Sequence, residues 1–109
     1  MTFKELNEEA RKYLFNGLKE IGKIDTIDEL NQYYFHSVSH SLGLDCHDPV
    51  SDRVIRDGMV ITIEPGLYIK DENIGVRIED DIVINKNGNI VLSKDIIKSV
   101  EDIEKFMAK

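Results

Sequence analysis

The chain has 109 residues, 41% of them hydrophobic and 32% charged, which suits one soluble domain spanning 1–109 and excludes disordered or fibrous classes. Its formal net charge is −7 and it contains no run of Lys and Arg. Nucleic acid and anionic membranes are therefore not expected as partners, because both are bound through clustered cations that displace counterions.

The first predicted element is a helix. Thr2 and Glu5 have the spacing of a capping box. Phe3, Leu6, Ala10, Tyr13, Leu14, Leu18 and Ile21 then recur at three- and four-residue spacing. They form one apolar stripe, expected to be core, and Gly22 is a natural stop. Thr26 and Glu29 repeat the capping pattern, so a second, short helix is expected from Ile27 to Tyr33. The aromatic triplet Tyr33-Tyr34-Phe35 follows, expected chiefly to pack. After the turn at Asp57-Gly58 the pattern becomes extended, from Met59 to Glu64 and, beyond Pro65-Gly66, from Leu67 to Ile69. Ile74 to Ile84 reads as one strand, with Ile74, Val76, Ile78, Ile82 and Ile84 on one face and Arg77, Glu79 and Asp81 on the other. Asp80 breaks the apolar face and needs a partner there. Asn87-Gly88 predicts a hairpin to Ile90, Val91 and Leu92. Ser99 with Asp102 starts a last helix, whose Val100, Ile103, Phe106 and Met107 are expected to pack onto the sheet. The order predicts an α+β fold with an antiparallel sheet and helices on one face.

All three histidines, His36, His40 and His47, fall in one short window. The spacing of His36 and His40 is that of a zinc-binding helix. Ser37, however, stands where such a helix carries its glutamate, and Gly43 disfavours a helix. Glu64 and Glu79 each sit within apolar runs, where an unpaired carboxylate is costly without a cation or several donors. They can be surface residues paired with Arg77 or Lys70. They can equally be metal ligands, with Arg77 as an orienting cation. A mixed His and carboxylate set suits Mn²⁺, Fe²⁺, Co²⁺ or Zn²⁺, and its carboxylate content favours Mn²⁺. Without an ion the two glutamates would repel, raising the pKa of at least one. Cys46 is the only cysteine, so no internal disulfide forms, which fits a cytoplasmic location. Beside His47 it could ligate a metal, although no second cysteine supports a thiolate site. The charged stretch from Phe3 to Glu9 is unlike a secretion signal, and no apolar run approaches the roughly 20 residues of a membrane span.

The segments Phe35 to Asp48, Gly58 to Tyr68 and Gly75 to Asp81, in that order and spacing, resemble aminopeptidase P and proline dipeptidase. The resemblance covers nearly the whole chain. It implies the C-terminal half of a pita-bread catalytic domain, from enzymes that cleave the bond next to proline with two divalent metal ions. By position it implies His40, Glu64 and Glu79 as metal ligands, with Glu79 bridging both ions and Glu64 also serving as general base. His36 and His47 resemble the histidines that hold substrate and stabilise the tetrahedral intermediate, and Arg77 the arginine behind the ligands. In that family an earlier half supplies two aspartate ligands and a further histidine. Nothing before His36 resembles that half, and Asp25 and Asp28 lie in or beside a helix cap. Ser37 also departs from a glycine common in relatives. The expected function is therefore that of a metallo-exopeptidase fragment, inactive alone. Its expected partners are a proline-containing peptide in the intact enzyme, and either the missing N-terminal half or further copies of itself. The alternative is a non-catalytic oligomerising or partner-binding module derived from that fold.

Overall fold

The computed structural model describes residues 1–43 and 54–108. Helix α1 spans Phe3–Glu20, with the Thr2 hydroxyl accepting the Glu5 N–H and the Glu5 carboxylate accepting the Thr2 N–H. Gly22 follows at φ +78, in the left-handed region that favours glycine, and lets Lys23 N–H reach back to the Leu18 carbonyl. Along the predicted stripe, Leu18 is buried, while Leu6, Ala10 and Leu14 pack partly buried against the core. Tyr13 and Ile21 are exposed, at its edge and beyond its end. Glu29 accepts hydrogen bonds from the Thr26 N–H and hydroxyl. The expected second helix is a 3₁₀ turn, Ile27–Gln32, since six residues leave little room for the i→i−4 ladder. Leu18, Ile24, Leu30, Tyr34 and Val38 form the buried centre. Of the aromatic triplet, Tyr34 is fully buried while Phe35 is 69% exposed.

The strands are β1 (Val60–Ile63), β2 (Gly66–Ile69), β3 (Ile74–Arg77), β4 (Asp80–Val83) and β5 (Ile90–Val91). They form two antiparallel sheets, β1-β4-β5 and β2-β3. The single strand expected from Ile74 to Ile84 is thus divided at Ile78 and Glu79. Opposite the break lies Pro65, which has no N–H to donate to a ladder. The register nonetheless carries across: Ile63 pairs with Asp80 on one side and Gly66 with Arg77 on the other. The two sheets are one long hairpin whose ladder is interrupted at its middle. Its far end turns through Lys70–Glu72, with Asn73 left-handed at φ 53.

Asp80 has the partners its position requires. Its Oδ1 accepts from the Ser93 hydroxyl at 2.6 Å and from Lys98 Nζ at 3.1 Å. These bonds, Ser93 first, hold its carboxyl below the usual aspartate range. Helix α2 covers Val100–Met107, capped by the Ser99 side chain as expected. Its apolar residues do not pack on the sheet: Val100, Ile103, Phe106 and Met107 are all exposed. The pattern was amphipathic, but amphipathicity does not say whether the covering surface belongs to the same chain.

Candidate metal centre

Residues Val38 to Leu42 run extended beside β1. Thr62 N–H donates to the His40 carbonyl, Glu64 N–H to that of Val38, and Leu42 N–H to that of Val60, at 2.9, 2.7 and 2.9 Å. His40 therefore sits on a strand-like edge and not on a helix. Its N–H is anchored by the fully buried Thr62 hydroxyl at 3.0 Å. Its ring Nδ1 lies 3.1 Å from the Ser41 carbonyl. A carbonyl only accepts, so Nδ1 carries the proton and a neutral ring turns the lone pair of Nε2 outward.

That lone pair meets Glu64. Nε2 and Glu64 Oε2 are 3.2 Å apart, and Oε2 is buried without a hydrogen-bond partner among the described residues. Two lone pairs at this distance call for a cation between them, either the proton of an imidazolium or a metal ion. The hairpin brings up a third donor: extending the β1–β4 register by one residue places Glu79 opposite Glu64. One ligand atom each from His40, Glu64 and Glu79 lie within 4.8 Å of one another. A single ion with bonds near 2.1 Å holds its ligands roughly 3 to 4 Å apart, so the trio needs little adjustment to share one. The donor set fits a divalent cation and leaves coordination positions open.

Electrostatics agree with this geometry. Partial burial, then the charge and hydrogen bond of Glu64, push the Glu79 carboxyl above its ordinary range, and Arg77 pulls it down. Like charges gathered around a buried unpartnered oxygen are arranged for an ion rather than for the empty chain's stability.

The other predicted residues are placed less closely. Arg77 ends β3 opposite Gly66, with its charge felt at Glu79. His36 is partly exposed, with Nδ1 at 2.9 Å from the Ser37 carbonyl and Nε2 at 2.7 Å from the Tyr68 hydroxyl. The carbonyl again fixes the proton on Nδ1 in the neutral ring, so Tyr68 donates to Nε2. His47 and Cys46 lie outside the described residues. Sequence reasoning passed over three supporting residues. Thr62 anchors His40, Tyr68 holds His36, and Asn7 Oδ1 receives both the Val38 N–H and the Tyr34 hydroxyl. Thr62 is a polar residue inside the apolar run Val60–Ile63, the one signal that could have exposed it.

Residues 1–86 match metallopeptidase family M24. The chain belongs to this family. Among curated M24 relatives, the Xaa-Pro aminopeptidase of Haemophilus influenzae is 36% identical over 97% of this chain and 29% of its own length. That of Escherichia coli is 37% identical over 94% and 28%. A Bacillus anthracis structure assigned as aminopeptidase P superposes with a TM-score of 0.92 at 58% identity, covering 98% of this chain and 26% of that one. Zn-substituted E. coli aminopeptidase P in complex with product gives 0.80 at 36%, covering 97% and 28%. The match falls on the C-terminal part of these relatives. The chain thus spans less than a third of the proteins it resembles, and its α+β architecture corresponds to half of their pita-bread fold.

Proposed function

We propose that this chain provides one side of a two-metal Xaa-Pro aminopeptidase centre, with His40, Glu64 and Glu79 as its metal ligands. The observation that carries this reading is the buried Glu64 Oε2, which has no hydrogen-bond partner among the described residues and faces His40 Nε2 at 3.2 Å, with Glu79 beside it. Two carboxylates and one imidazole favour Mn²⁺, with Co²⁺, Zn²⁺ and Fe²⁺ as alternatives. When bound, the ions supply an acidified water and a Lewis acid for the scissile carbonyl.

The chain's own residues do the rest. Glu64 accepts the proton of the attacking water and delivers it to the leaving proline nitrogen. His40 is held in the ligating tautomer by Ser41, an orienting bond of the kind metal-binding histidines use. Arg77 favours the ionised, ligating form of Glu79. His36 and His47 hold the proline-containing peptide, with the His36 ring kept in orientation by Tyr68. The chain acts in the cytoplasm, and alone it lacks the aspartate ligands that the family resemblance assigns to the other half. Negligible cleavage by the isolated chain is therefore expected.

A calorimetric Mn²⁺ titration with Glu79→Ala as control tests the reading. Binding lost in the variant supports it, as does cleavage restored by a separately made N-terminal half. Absent binding, or binding indifferent to the substitution, sinks it. A second reading, a non-catalytic module that associates with a partner or with itself, is favoured by the exposed apolar residues of α2. Surfaces of this kind promote association. Light scattering that finds a monomer at every concentration removes self-association.

A further inference from the structure

We infer that Ser93, with Lys98 behind it, is a positioning residue for the Glu64–Glu79 pair; the inference rests on the metal-site reading above. Glu79 belongs to neither β3 nor β4. It occupies the break between them, where the ladder is interrupted by Pro65. Among the described residues, the ladder bond that crosses this break runs from Ile78 N–H to the Pro65 carbonyl and is long, at 3.4 Å. The backbone of Glu79 is consequently placed from its C-terminal side, by whatever holds Asp80 and Asp81.

Ser93 holds both. Its hydroxyl donates to Asp80 Oδ1 at 2.6 Å and accepts the Asp81 N–H at 3.1 Å. Leu92 N–H donates to the Asp81 carbonyl at 2.8 Å, so the same short segment grips donor and acceptor of one residue. Lys98 closes the arrangement. Its ammonium reaches Asp80 Oδ1, the Ser93 carbonyl and the Ile96 carbonyl at 3.1, 3.1 and 2.9 Å, which uses all three of its protons. Asp80 pairs with Ile63, the neighbour of Glu64, so the clasp sets the start of β4 directly against the end of β1. When both are ionised, two carboxylates this close repel each other. A hydroxyl that both donates and accepts resists this motion better than either bond alone, because losing it takes one bond from Asp80 and one from Asp81 at once.

The test compares Mn²⁺ affinity in the wild-type chain, Ser93→Ala, Ser93→Thr and a core control, Ile24→Val. Residues that orient metal ligands typically cost about tenfold or more in affinity when removed. Ser93→Ala is expected to weaken Mn²⁺ on that order and Ser93→Thr, which keeps the hydroxyl, to restore it. Ile24→Val is expected to lose stability while affinity stays within about twofold. Unchanged affinity in Ser93→Ala, or an equal loss in Ile24→Val, overturns the inference. Should the wild-type chain bind no Mn²⁺, the metal reading itself fails, and the clasp is judged by amide exchange in the metal-free chain. Faster exchange confined to Glu79 and Asp81 in Ser93→Ala then supports it, and exchange unchanged at both residues overturns it.

Discussion

At the scale of single residues, the proposed metal site gathers groups that cost the ion-free chain stability. Glu79 sits beside a like charge and a partly burying wall, and its carboxyl is pushed up accordingly. Glu79→Gln removes the repulsion along with a proposed ligand. The metal-free variant is expected to unfold at slightly higher urea, a small gain because solvent screens the charge of this exposed side chain, while Mn²⁺ binding disappears from calorimetry. Tyr34 shows the opposite economy, a buried polar group that serves the fold. It is fully buried, its hydroxyl donates to Asn7 at 3.3 Å, and burial pushes the phenol up to about 12. The unfolded phenol titrates near 10. The unfolded chain therefore releases this proton first as pH rises. Stability from Tyr34 is complete below about pH 10 and is lost as pH climbs through the folded value. Ultraviolet difference spectroscopy is expected to show one of the four tyrosines titrating well after the others, coincident with alkaline unfolding.

At the scale of elements, the interrupted hairpin carries the design. Continuous register through an interrupted ladder puts two glutamates opposite each other where neither backbone is fully committed to a sheet. Close approach on the β2 side adds a constraint. A Cβ on buried Gly66 would meet the Tyr68 hydroxyl oxygen at 2.6 Å, the same oxygen that donates to His36. Gly66→Ala must therefore displace the Tyr68 ring. We expect the variant to fold but to release His36 Nε2, seen as a change in the His36 ring nitrogen shifts by NMR. An unchanged His36 signature would show that Tyr68 does not hold it.

At the scale of the whole molecule, the chain is short of core. Its radius of gyration is 15.7 Å, against about 13 Å for a compact domain of this length. The buried hydrophobics among the described residues are Leu18, Ile24, Leu30, Tyr34, Val38 and Ile61. Val76, Ile78, Val100, Phe106 and Met107 remain exposed. Entropy is lost by every ordered residue, whereas burial is gained by few. Urea unfolding of the isolated chain is expected to give less than the roughly 5 kcal/mol at the lower end for stable domains. Leu30→Ala, which removes a fully buried side chain and costs about 2 to 5 kcal/mol, is expected to abolish cooperative unfolding altogether, and circular dichroism melts would register it.

Local chemistry was readable because its causes are local. The Thr2–Glu5 cap, the Gly22 stop, the strand runs and the Ser99 cap each depend on residues within a turn of one another. Glu64 and Glu79 stood out because carboxylates break the surrounding apolar pattern, whereas His40 was set apart from His36 and His47 only by the family resemblance. The demand of Asp80 for a partner was visible too, but not that Ser93 and Lys98 would meet it, since they approach only when β5 folds back toward β4. The same limit applies to Thr62 under His40 and Tyr68 on His36, contacts made between segments distant in sequence. The division of Ile74–Ile84 escaped the period-two pattern because its cause, Pro65, acts from the facing strand. Sequence by itself therefore determined the local elements and marked Glu64 and Glu79 as carboxylates set against an apolar pattern. Only the tertiary structure decided that the ladder breaks where the glutamates meet and that the apolar face of α2 stays exposed among the described residues, because pairing across strands and burial between elements depend on what the rest of the chain brings near.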